Sequence, residues 1–175
     1  MKDLLKSISL VLILSIAGNN VFAQSNEQKV FFGPGIGFDY GGIGGKIEYL
    51  PAKHFGLFGG LGYNLYKIGW NLGTTCKILP DEKVSPNLMV FYGYNAVSVV
   101  KGASQYDMTS YGVTIGANLD ISVGRKGNKL SVGLFVPFRS EKFTDNYDAV
   151  KANPNIEITS ELMPIGVSFG YNFKL

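Results

Sequence analysis

The last eleven residues alternate without a break. Ile165, Val167, Phe169, Tyr171, Phe173 and Leu175 share one face, and Gly166, Ser168, Gly170, Asn172 and Lys174 share the other. Side chains of a β-strand repeat every two residues, so this segment has one apolar face and one small or polar face. The same pattern recurs upstream. Residues 30–40 set Val30, Phe32, Ile36, Phe38 and Tyr40 against Gly33, Gly35, Gly37 and Asp39. Residues 43–50 set Ile43, Ile47 and Tyr49 against Gly44, Lys46 and Glu48. Residues 55–66 set Phe55, Leu57, Leu61, Tyr63 and Leu65 against Gly56, Gly60, Gly62 and Asn64. Residues 70–78 set Trp70, Leu72, Cys76 and Ile78 against Asn71, Gly73, Thr75 and Lys77. Residues 111–123 and 130–139 alternate as cleanly, whereas Leu88-Met-Val-Phe-Tyr92, within 87–99, is apolar on both faces. Eight strands are expected.

The connections fall into two sets. Pro51–His54, Pro80–Pro86 and Arg125–Asn128 are short and turn-forming, and they join strands two to three, four to five and six to seven. The links from one to two and three to four are tight and glycine-rich, while those near 100–109 and 140–163 are longer and more polar. An even number of antiparallel strands with the longest loops at one end predicts an all-β fold, an eight-stranded up-and-down transmembrane β-barrel.

Period alone does not say which face points inward. A soluble barrel of the lipocalin kind would bury the bulky row and show water a row of Gly, Ser, Thr and Asn with few charges, a poor solvent face. In a membrane barrel the bulky row faces lipid, where a charge at the midplane costs about 2–4 kcal/mol. The apolar rows of the seven clear strands carry no Asp, Glu, Lys or Arg. Aromatic residues also gather near strand ends. Phe32, Tyr49, Phe55, Tyr171 and Phe173 lie toward the termini, and Tyr40, Tyr63, Trp70, Tyr94, Tyr111 and Phe138 toward the other rim. Two such belts match the two interfaces of a bilayer.

The N-terminal stretch fits export. Lys2 and Lys6 precede the apolar Leu10–Leu14, and Val21-Phe22-Ala23 offers a small residue at the cut before Gln24, so residues 1–23 are expected to be a secretory signal peptide and 24–175 the barrel domain. No later apolar run reaches the roughly 20 residues of a helical span. Cys76 is the sole cysteine, which excludes an internal disulfide. The leader contains Lys2, Lys6 and Asp3, which leaves 14 basic and 12 acidic residues of the chain's 16 and 13. That even, scattered balance argues against nucleic acid as a partner.

In this architecture, and in its terminal Phe169-Gly-Tyr-Asn-Phe-Lys-Leu175, the chain resembles the small eight-stranded outer-membrane barrels of Gram-negative bacteria, the OmpA/OmpX-like and porin-family barrels. The resemblance covers roughly 30–175. It implies outer-membrane lipid as surroundings, and the terminal strand as the signal read by the barrel-insertion machinery. Such signals usually end in an aromatic residue; here Leu175 is last, with Phe173 two before it. The resemblance carries over no functional residues.

Little in the chain suggests chemistry. His54, the sole histidine, falls in a turn at the end opposite the long loops, and one His with one Cys does not make a usual zinc site. Gly33-Pro-Gly-Ile-Gly37 and Gly41-Gly-Ile-Gly-Gly-Lys46 complete no phosphate-binding motif. No catalytic set, metal or cofactor is expected, and the protein is read as a non-enzyme. Lys46, Glu48, Lys77, Asp120, Arg139 and Lys174 fall on lumen faces, either as a salt-bridged plug or as the lining of a permeation path. Two roles follow: a structural or surface-interaction protein that presents the loop near 140–163, with Phe143, Tyr147 and Ile156, to an extracellular partner; or a narrow channel or carrier for small or hydrophobic solutes. A periplasmic lipocalin-like binder is the third. Removal of Phe173–Leu175 is expected to impair membrane assembly more than any loop change, measured as loss of the folded species in membrane extracts; normal insertion of the truncated chain would refute this.

Overall fold

The structure is a computed structural model and describes residues 29–98, 100, 107–152 and 162–175. The expected leader, and Ile156 of the long loop, lie outside the described residues. Eight antiparallel strands follow one another around a closed barrel: β1 (Lys29–Gly37), β2 (Gly42–Ala52), β3 (Phe55–Tyr63), β4 (Ile68–Lys77), β5 (Val84–Ser98), β6 (Met108–Val123), β7 (Asn128–Pro137) and β8 (Gly166–Lys174). Closure comes from β8 pairing with β1, from Phe31 opposite Lys174 to Gly37 opposite Ser168. The eight-stranded up-and-down barrel expected from the alternation is the observed fold.

The two rows divide as the pattern requires, with the bulky row outside. Leu61, Leu72, Leu134 and Val167 each expose 60% or more of their surface, whereas Lys77, Asn87, Thr114 and Asp120 on the inner row expose 3% or less. The barrel is therefore inverted relative to a water-soluble one. The doubly apolar run in β5 resolves by the same rule. Leu88, Val90 and Tyr92 point outward, while Met89 and Phe91 point inward and join Phe58 and Phe135 in an apolar cluster within the lumen. Phe91 meets Phe58 and Phe135 edge to face, with ring centroids 5.6 and 5.3 Å apart, the geometry aromatic quadrupoles favour.

Three elements depart from the expected pattern. Alternation carries the first strand to Tyr40, but β1 ends at Gly37, and Phe38–Tyr40 form a single 3-10 turn that folds into the barrel and buries Asp39 and Tyr40. Gly37, Gly41 and Gly42 make this turn with φ of 129°, 72° and 115°, values that side chains disfavour. Tyr40 thus leaves the expected rim belt for the lumen. Tyr94 is also buried, edge to face with Phe38 at 5.9 Å. Tyr63, Trp70, Tyr111 and Phe138 remain exposed around that rim, and Tyr92, not expected there, joins them. The second departure is the length of β5 and β6, at 15 and 16 residues. The β4–β5 ladder ends at Asn71 opposite Gly93, so beyond it Tyr94–Ser98 pair only with Met108–Tyr111. This two-stranded ribbon buries Tyr94, Asn95, Ala96 and Ser98 and reaches Phe38 across the mouth.

The third departure is a helix, α1 (Glu141–Lys151), in the long connection between β7 and β8. Ser140 caps it by accepting from the Phe143 N–H, Glu141 and Lys151 suit the two ends of the helix dipole, and Phe143 and Tyr147, four apart, form its buried stripe.

Space for the inward turn comes from glycine. A Cβ added at Gly170 would lie 2.0 Å from the Tyr40 hydroxyl, and one at Gly35 would lie 2.5 Å from its ring. Gly170→Val is therefore expected to destabilise the barrel by about 1–3 kcal/mol through overpacking, measured by denaturant unfolding of the purified protein. Most of the loss should disappear in a Tyr40→Ala background; an equal loss in both backgrounds would rule out this contact as the cause.

Candidate functional site

The inner row concentrates the polar chemistry of the molecule. Toward the terminal end, Lys77 of β4 donates to Asp120 of β6 at 2.9 Å and lies 3.1 Å from Glu48 of β2. Lys129 of β7 reaches the same Asp120 oxygen at 3.3 Å. Ser131 and Asn118 donate to the other carboxylate oxygen of Asp120, at 2.6 and 3.2 Å. These partners satisfy both oxygens, as a buried carboxylate requires.

The network continues across the barrel. Asn87 donates to Asn118 at 2.7 Å, and Asn172 of β8 donates to Ser131 at 2.9 Å. The Tyr40 hydroxyl in turn donates to Asn172 at 3.3 Å, which ties the inward turn to the Asp120 cluster. Lys46 pairs with Asp39 of that turn and lies over the Tyr40 ring, 4.6 Å from its centroid. Asn71 of β4 donates to the Phe38 carbonyl, so the turn is held from both walls. Above the charges, Phe58, Met89, Phe91 and Phe135 fill the bore, with Phe38 packed against them.

The buried charged residues among the described positions are Asp39, Glu48 and Asp120 against Lys46, Lys77 and Lys129. Three charges of each sign leave these buried positions with no net charge. Interlocked pairs beneath an apolar layer act chemically as a cross-link between strands.

Four of the six charges expected in the lumen are there: Lys46, Glu48, Lys77 and Asp120. Lys174 is exposed at the end of β8, because the inner row has already run past the rim at that point. Arg139 lies beyond the end of β7, at the loop rim, where its Nη2 donates to the Met163 carbonyl at 2.6 Å. Burial lowers its pKa, opposed by the nearby Tyr94 and Tyr147. Asp39 and Lys129 were missed. Lys129 has the parity of Ser131 and could have been found by extending that segment by one pair; Asp39 depended on the turn folding inward.

His54 sits in the β2–β3 turn, where its Nδ1 lies 2.8 Å from the Lys77 carbonyl oxygen, so the ring donates there and pins the turn. Among the described residues no group of three or more His, Cys, Asp or Glu gathers as metal ligands. Cys76 points outward from β4.

Against models of protein families, curated proteins and solved structures, the chain gives no match. The functional reading therefore rests on the geometry of the barrel.

Lys77→Met is expected to cost about 3–5 kcal/mol, the usual effect of breaking a buried pair. Asp120 would keep Lys129, Ser131 and Asn118, and Glu48 would be the stranded charge. Addition of Glu48→Gln should therefore recover a large part of the loss in unfolding experiments, whereas Asp120→Asn should not. The reverse order would show that Asp120 is the stranded partner.

Proposed function

We propose that this chain is an integral outer-membrane barrel of a Gram-negative bacterium, non-enzymatic and closed to ions, serving as a structural anchor that presents its loop-end face to an extracellular partner. The observation that carries this is the inversion of the barrel: a girdle of exposed Ile, Leu, Val and Phe surrounds an interior of Lys, Asp, Asn and Ser. Soluble monomers rarely expose contiguous apolar patches beyond a few hundred Å2. A bilayer supplies the missing cover, and a closed barrel meets its demand that every main-chain group be paired.

The aromatic residues at the two rims support the same reading, since amphipathic rings settle at headgroup level. A lipocalin-like binder is disfavoured, because the bulky row that would line its cavity is on the outside. A channel is disfavoured by the filled bore: an eight-stranded barrel has room for little beyond its own side chains, and here Phe58, Met89, Phe91, Phe135 and Tyr40 occupy it. At the loop end, α1 buries Phe143 and Tyr147 and exposes Glu141, Lys142, Asp145 and Asp148, a mixed-charge face suited to a polar partner.

Membrane fractionation, with gel mobility that changes on heating, should place the protein in the outer membrane as a folded barrel. Recovery of soluble protein from the periplasm would overturn the assignment. In planar bilayers the purified protein should be silent; steady ion steps abolished by altering Lys46 or Asp120 would overturn the plug and favour the channel.

A further inference from the structure

The inward turn after β1 leaves the barrel wall low on one side. The β1–β8 ladder ends at Gly37 opposite Ser168, and the β1–β2 ladder ends at Gly37 opposite Gly42. β8 continues past that point, through Val167 to Gly166, with a partner only in β7. On the other side β3 ends at Tyr63, opposite Ile43, and the β3–β4 turn continues from it through Asn64 and Leu65. The result is a notch in the loop-end rim between β8 and β3, and a cavity of about 280 Å3 opens through it.

The lining of this cavity has two parts. Ile36, Ile43 and Val167 belong to the exposed outer wall, and they run into Phe38 and Tyr94 of the interior. The cavity is thus continuous with the surface that lipid would cover. Its lining residues with polar groups are Asn64, Arg139, Tyr63 and Tyr94, of which Tyr63 already donates its hydroxyl to the Leu65 carbonyl. Asn64 is 2% exposed, and its Nδ2 has no acceptor among the described residues; its Oδ1 is already used by the Tyr66 and Lys67 N–H groups. Arg139 spends Nη2 on the Met163 carbonyl, its Nε is also without an acceptor, and no carboxylate among the described residues pairs with it. Unsatisfied buried donors are rare, and each calls for a partner. A guanidinium with no carboxylate partner among the described residues, set beside an apolar slot, suits an anion.

We propose that the notch binds an amphiphile with one acyl chain and an anionic head, the chain against Ile36, Ile43 and Val167 and the head toward Arg139 and Asn64. The headgroup level of a bilayer rim is where such a molecule would present both parts. The proposal rests on the membrane reading above, but its test does not need a membrane.

The probe is a palmitate carrying a photoactivatable diazirine, added to the purified barrel in uncharged detergent, with labelled residues mapped by mass spectrometry. Label is expected to concentrate on the notch lining and to fall at least several-fold in Val167→Trp, which fills the slot. Unlabelled palmitate should compete roughly tenfold better than its methyl ester, and Arg139→Gln should erase that preference, as loss of one charge-assisted hydrogen bond predicts. Heat-modifiable mobility of each variant checks that it is folded. Label spread evenly over outer-wall positions such as Leu61 and Leu134 would overturn the site. Equal competition by acid and ester would overturn the anionic head. Flotation with phosphatidylcholine vesicles separately tests the membrane reading: a folded barrel that fails to float yet labels at the notch would sink that reading and spare the site.

Discussion

Closure of the main-chain ladder is the constraint on which the other features depend. Each strand is hydrogen-bonded to both neighbours, and the last is bonded to the first. With no free edge, the sheet can present apolar side chains outward along its whole girth without offering a template for aggregation. Closure at eight strands also sets a narrow bore. The inner row must then be small where backbone or rings approach, as at Gly35 and Gly170 against Tyr40, and self-complementary where it is polar.

The polar filling follows from that narrowness. A bore this size holds no bulk water to solvate Lys77 or Asp120, so each charge needs a partner from another strand. The partners found span β2, β4, β6 and β7, and through Ser131 and Asn172 they reach β8 and the inward turn. Buried ion pairs are weak evidence for net stability, but they are strict about geometry: one arrangement satisfies them and most others leave a charge stranded. In this barrel they fix how the staves stand relative to one another, while the aromatic cluster above them supplies close packing.

Most of the barrel was legible in the sequence because the outer row and the inner row obey opposite demands at every step. From Tyr111 to Val123 or Ile165 to Leu175, no other period fits. The inward charges followed from parity, and Lys46, Glu48, Lys77 and Asp120 are where it put them. Parity fails where the chain leaves the sheet. Phe38–Tyr40 continue the alternation in letters, but Gly37, Gly41 and Gly42 turn the backbone inward, and a two-residue period carries no information about the direction of a turn. The same limit misplaced Arg139, which lies past the end of β7, and Lys174, the exposed last residue of β8. The helix after β7 had local signals in Ser140 and in the Phe143–Tyr147 spacing, yet they are few beside the polar residues around them. The cleft at the rim had no sequence signal, because it arises where the chain turns inward after β1 between a longer β8 and the β3–β4 turn.

The ribbon formed by the ends of β5 and β6 differs from the staves in one respect. Past Gly93 its ladder is served from one side only, by the pairs Tyr94–Tyr111, Ala96–Ser110, Val97–Thr109 and Ser98–Met108. Opening these four pairs leaves every barrel-closing bond in place. Two-stranded ribbons are marginal on their own, so the molecule contains two cooperative units of unequal strength. Local opening of the ribbon would break the Tyr94–Phe38 contact and the Asn95–Phe138 hydrogen bond and expose its amide hydrogens, while those of the staves wait for the barrel to come apart.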